Sequence, residues 1–236
     1  MVRPPTIGWR AGRFLARRTT VRSQLRDSLG FAPSSLDHRR LMLAAPHRGT
    51  GGADGRAYPR QVMARAASLV LLNTGEGKGK SSAAFGVMGR GWARGWRVGV
   101  VQFVKGGKWK TGERKLADHL DIEWHTLGDG FTWESTDLDE TAAKGRHAWE
   151  VAAAKLASGD FDLLILDELT YAVTYGWVPV DDVVAGIRDR APKTNVVITG
   201  RNAAPELIEV ADTVTEMTKV KHAYDQGITA MKGIEY

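Results

Sequence analysis

The run Thr74-Gly75-Glu76-Gly77-Lys78-Gly79-Lys80-Ser81-Ser82 holds the residue types that phosphate chemistry asks for. Glycines let the backbone bend until successive N–H groups from 75–82 converge on phosphate oxygens. Lys80 would reach those phosphates, and the Ser81 hydroxyl would ligate Mg²⁺. The run lies between an apolar segment that reads as a strand, Ser68–Asn73, and a helical pattern over 81–94. A helix beginning there adds the positive end of its dipole. In that context the run reads as a P-loop. It has one departure, because Thr74 stands five positions before Gly79, where the usual first glycine would be. The competing reading is an ordinary glycine-rich turn, which leaves the two lysines and their register unexplained.

A second signal is Leu163-Leu164-Ile165-Leu166-Asp167-Glu168, an apolar strand ending in carboxylates. Carboxylates at the carboxyl end of a central strand hold Mg²⁺ directly or through water. Alone, the pattern could equally be a strand followed by a helix N-cap. It comes 87 residues after Lys80, and the two together make a nucleoside triphosphate site. They do not fix the reaction.

Both signals need elements to hold them. Strand patterns occur at 68–73, 97–104, 122–126, 161–166, 195–199 and 213–215, with helical patterns at 81–94, 138–156, 180–189 and 205–210. The 138–156 pattern has an acidic first turn, Lys155 near its end and Gly159 after it, in keeping with the helix dipole. Alternation of strands and helices predicts an α/β fold. The expected sheet is mostly parallel and covered by helices on both faces, as in RecA-like P-loop NTPases.

Composition bounds the rest. The 236 residues include no cysteine, which removes disulfides, thiolate nucleophiles and Cys-ligated metals. The longest apolar runs, such as Leu163–Leu166, are far shorter than the ~20 residues a membrane helix needs. No charged start leads into an apolar secretory segment, so the expected location is the cytoplasm. The net charge of +6 suggests nucleic acid until it is located. Residues 1–60 hold twelve of the 33 basic residues and three of the 27 acidic ones, leaving 61–236 at 21 against 24, or −3. No nucleic-acid or membrane partner is expected. Residues 1–60 contain Arg but no Lys, and no apolar period lasts beyond two turns. They are expected to form a disordered extension beside one domain over 61–236. Three readings of that extension stay open: a flexible tail, an untranslated stretch with the start at Met42 or Met63, or an organelle transit peptide.

Further motifs follow in order. They are Val101-Gln102-Phe103-Val104-Lys105-Gly106, Thr111-Gly112-Glu113-Arg114, Gly130-Phe131-Thr132-Trp133-Glu134 and Leu166-Asp167-Glu168-Leu169-Thr170-Tyr171. The later part has Ile198-Thr199-Gly200-Arg201-Asn202, Val220-Lys221-His222-Ala223-Tyr224-Asp225-Gln226-Gly227 and Gly233-Ile234-Glu235-Tyr236. With the P-loop, this set resembles the P-loop class of ATP:corrinoid (cob(I)alamin) adenosyltransferases over about 66–236. The resemblance implies transfer of 5′-deoxyadenosine from ATP to the Co(I) of a reduced corrinoid, with release of triphosphate. It also implies a role in cobalamin biosynthesis or salvage, a homodimer, and a flavin-type reductant or reductase that supplies Co(I). ATP is the co-substrate and Mg²⁺ (or Mn²⁺) the metal. Such an enzyme needs no side-chain nucleophile, because cobalt supplies it. It must stabilise a triphosphate leaving group, a task for Lys80, Lys78, the loop N–H groups, and a metal held by Ser81 and Glu168. The ATP set is then Thr74 through Ser82 with Arg90 and Arg201, and the catalytic pair is Lys80 and Glu168.

Phe131 and Trp133 alternate in a glycine-flanked loop, which brings two large rings together. They could be core aromatics under a loop or a flat wall for the corrin ring. The resemblance favours the wall, as part of a loop that displaces the lower axial base. Trp109 reads as a solvent-facing loop residue. The six histidines are scattered, so no protein-bound zinc is expected. Two other readings stand beside the adenosyltransferase: a RecA-like P-loop ATPase and a corrinoid carrier without turnover.

Overall fold

The computed structural model describes residues 66–106, 111–128 and 138–235. In chain order the elements are β1 (Val70–Thr74), α1 (Lys80–Ala93), β2 (Val98–Gly106), α2 (Gly112–His119), β3 (Glu123–Gly128) and α3 (Leu138–Ser158). They continue with β4 (Leu163–Asp167), α4 (Leu169–Thr174), α5 (Val180–Arg188), β5 (Asn195–Thr199), α6 (Pro205–Val210) and β6 (Thr213–Glu216). A short 3₁₀ turn, Tyr224–Gln226, follows.

The strands form one sheet in the order β3-β2-β4-β5-β1-β6, and every pair is parallel. β5 separates β1, which leads into the glycine loop, from β4, which ends in Asp167. That is the RecA-like arrangement of a P-loop NTPase. The expectation of a parallel α/β sheet holds among the described residues. The expectation for 1–60 lies outside them.

Side chains alternate faces along each strand, and each face buries its own core. Leu164 and Leu166 join Val101, Phe103, Val196 and Ile198 on one face, beneath α3, α4, α5 and α6. Leu163 and Ile165 join Val98, Val100 and Val197 on the other, beneath α1 and α2. All five residues of β4 are buried. A strand covered on both sides reads as an unbroken apolar run, which is the pattern seen in its sequence. β6 is exposed along its length, as suits an edge strand.

Two helices carry no apolar stripe that sequence periodicity could find. α2 is GERKLADH, with Ala117 as its buried residue. It starts because Thr111 caps it, the hydroxyl accepting the Arg114 N–H at 3.3 Å. α4 is six residues long and rich in β-branched and aromatic types. It forms because Glu168, at φ 64°, turns the chain sharply off the end of β4.

Candidate functional site

The carboxyl ends of the parallel strands gather the candidate residues on one edge of the sheet, where open α/β sheets place their ligands. Thr74 closes β1. Gly75 (φ 95°) and Gly79 (φ 110°) adopt backbone angles that side chains disfavour, which bends the loop back to start α1. Gly79 is the N-cap of α1 and supplies no side-chain cap, and the first turn holds no acidic residue. A helix end of that kind suits an anion.

Lys80 lies folded over the loop. Its Nζ donates to Gly75 O at 2.7 Å and Gly77 O at 2.6 Å. Burial pushes its pKa below the usual lysine value, and the Arg201 guanidinium adds to that, while Glu76 and Glu168 oppose it. Those influences place the four charged groups together. Arg201 Nε sits 3.2 Å from Glu76 Oε2, and its Nη1 donates to Tyr171 Oη at 3.3 Å. Burial in turn raises the Tyr171 pKa, with Arg201 opposing. Arg201 follows Gly200, where a Cβ would lie 2.0 Å from Thr170 Oγ1.

One part of the loop differs from the sequence expectation. Gly77 N–H does not belong to an open cradle, because it donates to Met217 O at 2.6 Å. A Cβ on Gly77 would sit 2.7 Å from both Met217 O and Thr218 O. The glycines therefore serve the close approach of the chain after β6 as well as the bend. Lys78 is paired with Glu235, farther along that same segment.

The acidic end of β4 is built into a row of polar residues. Thr126, Gln102 and Asp167 pair across neighbouring strands, and Thr199 lies next along the row. Gln102, Asp167 and Thr199 are buried. Gln102 Nε2 donates to Asp167 Oδ2 at 2.8 Å, and Thr199 Oγ1 donates to Oδ1 at 2.8 Å. Glu168 is half-buried just beyond.

Ser81 and Ser82 lie in the first turn of α1, Ser81 half-buried and Ser82 exposed. Arg90 is exposed in the last turn, ten residues from Lys80 and so about 15 Å along the axis. Phe131, Trp133 and Trp109 lie outside the described residues. Sequence reasoning gave no role to Gln102 or Thr199. Their signal was a polar residue set in a β-branched, apolar run, Gln102 in the middle of β2 and Thr199 at the end of β5. It also missed Met217, whose contribution is a backbone carbonyl that leaves no trace in residue type.

The residues that could hold a metal are hard oxygen donors, the Ser81 hydroxyl and the Glu168 carboxylate. Among the described residues no group of three His, Asp or Glu could hold one unaided. A hydroxyl and a carboxylate beside a phosphate loop fit a cation whose remaining ligands are phosphate oxygens and water.

The family model for ATP:corrinoid adenosyltransferase BtuR/CobO/CobP matches residues 66–236. A corrinoid adenosyltransferase of Pseudomonas aeruginosa is 47% identical over 170 residues, covering 71% of this chain and 83% of the relative. That of Escherichia coli K12 is 42% identical over 168 residues, covering 71% and 85%. Corrinoid adenosyltransferase CobA of Salmonella typhimurium is 40% identical over 168 residues, again covering 71% and 85%. With a phosphate loop, an acidic strand end and a matching segment that takes in the whole sheet, the chain belongs to the ATP:corrinoid adenosyltransferase family.

Proposed function

We propose that this carboxyl edge is the triphosphate end of an adenosyl-transfer site. The observation that carries the reading is the convergence of Lys80, Glu76, Glu168 and Arg201 on the loop of a chain from this family. Co(I) of the reduced corrinoid donates its electron pair to C5′ of ATP. The Co–C bond forms, the C5′–O bond breaks, and triphosphate leaves with that bond's electrons. The protein's work is to hold the triphosphate while its charge grows. Lys80 exchanges two carbonyl partners for phosphate oxygens, Arg201 leaves Glu76 for phosphate, and the first N–H groups of α1 face the anion. Lys78 makes the same exchange with Glu235. Ser81 and Glu168 would hold Mg²⁺ or Mn²⁺, which neutralises triphosphate charge when bound. Phe131 and Trp133 wall the corrin ring. A flavin-type reductase supplying Co(I), a homodimer and a cytoplasmic setting complete the reading.

Product analysis tests it. Protein, ATP and a Co(I) corrinoid should give adenosylated corrinoid and triphosphate in equal amounts. Lys80→Ala and Glu168→Ala should each lower the rate by about a hundredfold, the usual cost of one preorganised charge contact. ADP and phosphate as products would instead support an ATPase of the RecA-like kind, and near-normal rates in both variants would refute the site.

A further inference from the structure

We propose that Gln102 and Thr199 are positioning residues that clamp Asp167 from two sides and so aim Glu168 at the triphosphate and its metal. The proposal rests on the role given to Glu168 above.

The directions of the hydrogen bonds carry it. An indole N–H can only donate. Trp124 Nε1 donates to Gln102 Oε1 at 3.1 Å, and the Thr126 hydroxyl donates to the same oxygen at 3.2 Å. Those donors fix which way the amide points, so Nε2 must face Asp167. A backbone N–H can likewise only donate. Glu168 N gives its proton to Thr199 Oγ1 at 2.9 Å, so the one hydroxyl proton of Thr199 goes to Asp167 Oδ1. Thr199 thus holds the Asp167 side chain and the Glu168 peptide through a single oxygen.

The backbone at Glu168 explains why that grip matters. Glu168 has φ 64°, a left-handed angle that costs a non-glycine residue energy and persists only where the surroundings over-determine it. The Thr199 bond is such a constraint, because it fixes the peptide that turns the chain. Left to extended angles, residue 168 would continue the line of β4. The turn instead projects Glu168 from the strand end, where its charge acts on Lys80.

The clamp also reaches the phosphate loop. Trp124 packs on Phe85 of α1, with ring centroids 5.3 Å apart. α1 is the helix that the loop opens. Loop, helix, Trp124, Gln102 and Asp167 therefore form one continuous chain of contacts between the two halves of the site. A core that needed only packing would be served at lower cost by apolar residues than by a buried carboxylate with two dedicated donors.

The experiment is equilibrium binding of ATP by calorimetry, once with Mg²⁺ and once with EDTA, beside the adenosyl-transfer assay. The full-length protein is compared with Gln102→Leu, Thr199→Val, Thr199→Ser and Glu168→Gln, and melting temperatures are recorded. Affinity in EDTA should be the same in the full-length protein, Gln102→Leu, Thr199→Val and Thr199→Ser, because Lys80 and the loop are untouched. It should be no weaker in Glu168→Gln, which removes a negative charge facing the triphosphate. The gain on adding Mg²⁺ should shrink about tenfold or more in Gln102→Leu and Thr199→Val, the usual cost of losing a partner that orients a ligand, and kcat/KM should fall with it. Thr199→Ser keeps the hydroxyl and should recover most of both. A gain lost in Glu168→Gln but kept in Gln102→Leu and Thr199→Val overturns the clamp alone, as does a failure of serine to rescue. No gain in the full-length protein itself, with Glu168→Gln binding alike, overturns the role of Glu168 and the clamp with it. A variant that loses affinity in EDTA and melting temperature together is acting through the fold, which also overturns the proposal.

Discussion

Replacing Gly77 by alanine separates two reasons for a glycine in the loop. The new Cβ would lie 2.7 Å from Met217 O and Thr218 O and 2.8 Å from Thr218 C. All three are backbone atoms, so no side chain can swing away. Relief needs the 217–218 segment to move by roughly half an ångström or more, at a cost typical of overpacking, about 1–3 kcal/mol. That movement stretches the Gly77 N–Met217 O bond, now 2.6 Å, for about 0.5–1.5 kcal/mol more. A total of about 1.5–4.5 kcal/mol should lower the melting temperature by about 3–18 °C for a folded region of this size. Gly89, on α1, is the control, because a Cβ there meets nothing within 4 Å. Gly89→Ala should stabilise by about 0.5–1 kcal/mol, since alanine loses less freedom than glycine on entering a helix. Thermal unfolding followed by near-ultraviolet circular dichroism without nucleotide reads both. If Gly77→Ala melts with the parent protein, or Gly89→Ala falls as far as Gly77→Ala, the packing of the segment after β6 on the loop is misread.

Three other expectations can be checked independently. Hydrogen bonds from His125 and then Lys155 hold the Glu123 pKa at about 2 against an ordinary 4.5, so its contribution is complete above pH 4.5 and disappears as pH falls toward 2. Its side chain is 36% exposed, so screening limits the effect to on the order of 1 kcal/mol; Glu123→Gln should flatten acid unfolding in that window, and an unchanged curve would refute the ion cluster. Phe131→Ala and Trp133→Ala should lower activity with a Co(II) corrinoid and reductant far more than with Co(I), whereas equal losses would make both residues structural. A protein starting at Gln61 should keep its melting temperature and adenosyl transfer, and loss of activity already in one starting at Met42 would make the Arg-rich head a working part.

The loop and the acidic strand were legible because each is a local pattern, glycine and lysine spacing in one and a buried apolar run in the other. β5 and α6 fall at 195–199 and 205–210, the positions that periodicity indicates. α2 was not legible because it buries little besides Ala117 and a cap starts it, and α4 because its composition favours a strand. The expectation about loop N–H groups missed at Gly77 for a different reason. Its partner lies 140 residues away, and that partner is a carbonyl common to every residue type. Gln102 and Thr199 stand in the quoted motifs, yet only the sheet register brings them to Asp167.

The position of β1 in the sheet has a consequence for how the protein is made. β1 is the earliest of the six strands to leave the ribosome, yet its two neighbours, β5 and β6, are the latest. Val70 waits for Val196, and Leu71 for Thr213. At about 5–20 residues per second, that is on the order of ten seconds with both edges of an apolar strand unpaired. Gly77 waits for Met217 over the same interval. The nucleotide loop can therefore assume its final form only near the end of synthesis, and ATP cannot act as a template for the early half of the chain. Chaperone capture during translation should fall on nascent chains that expose β1, and release should follow the emergence of β6.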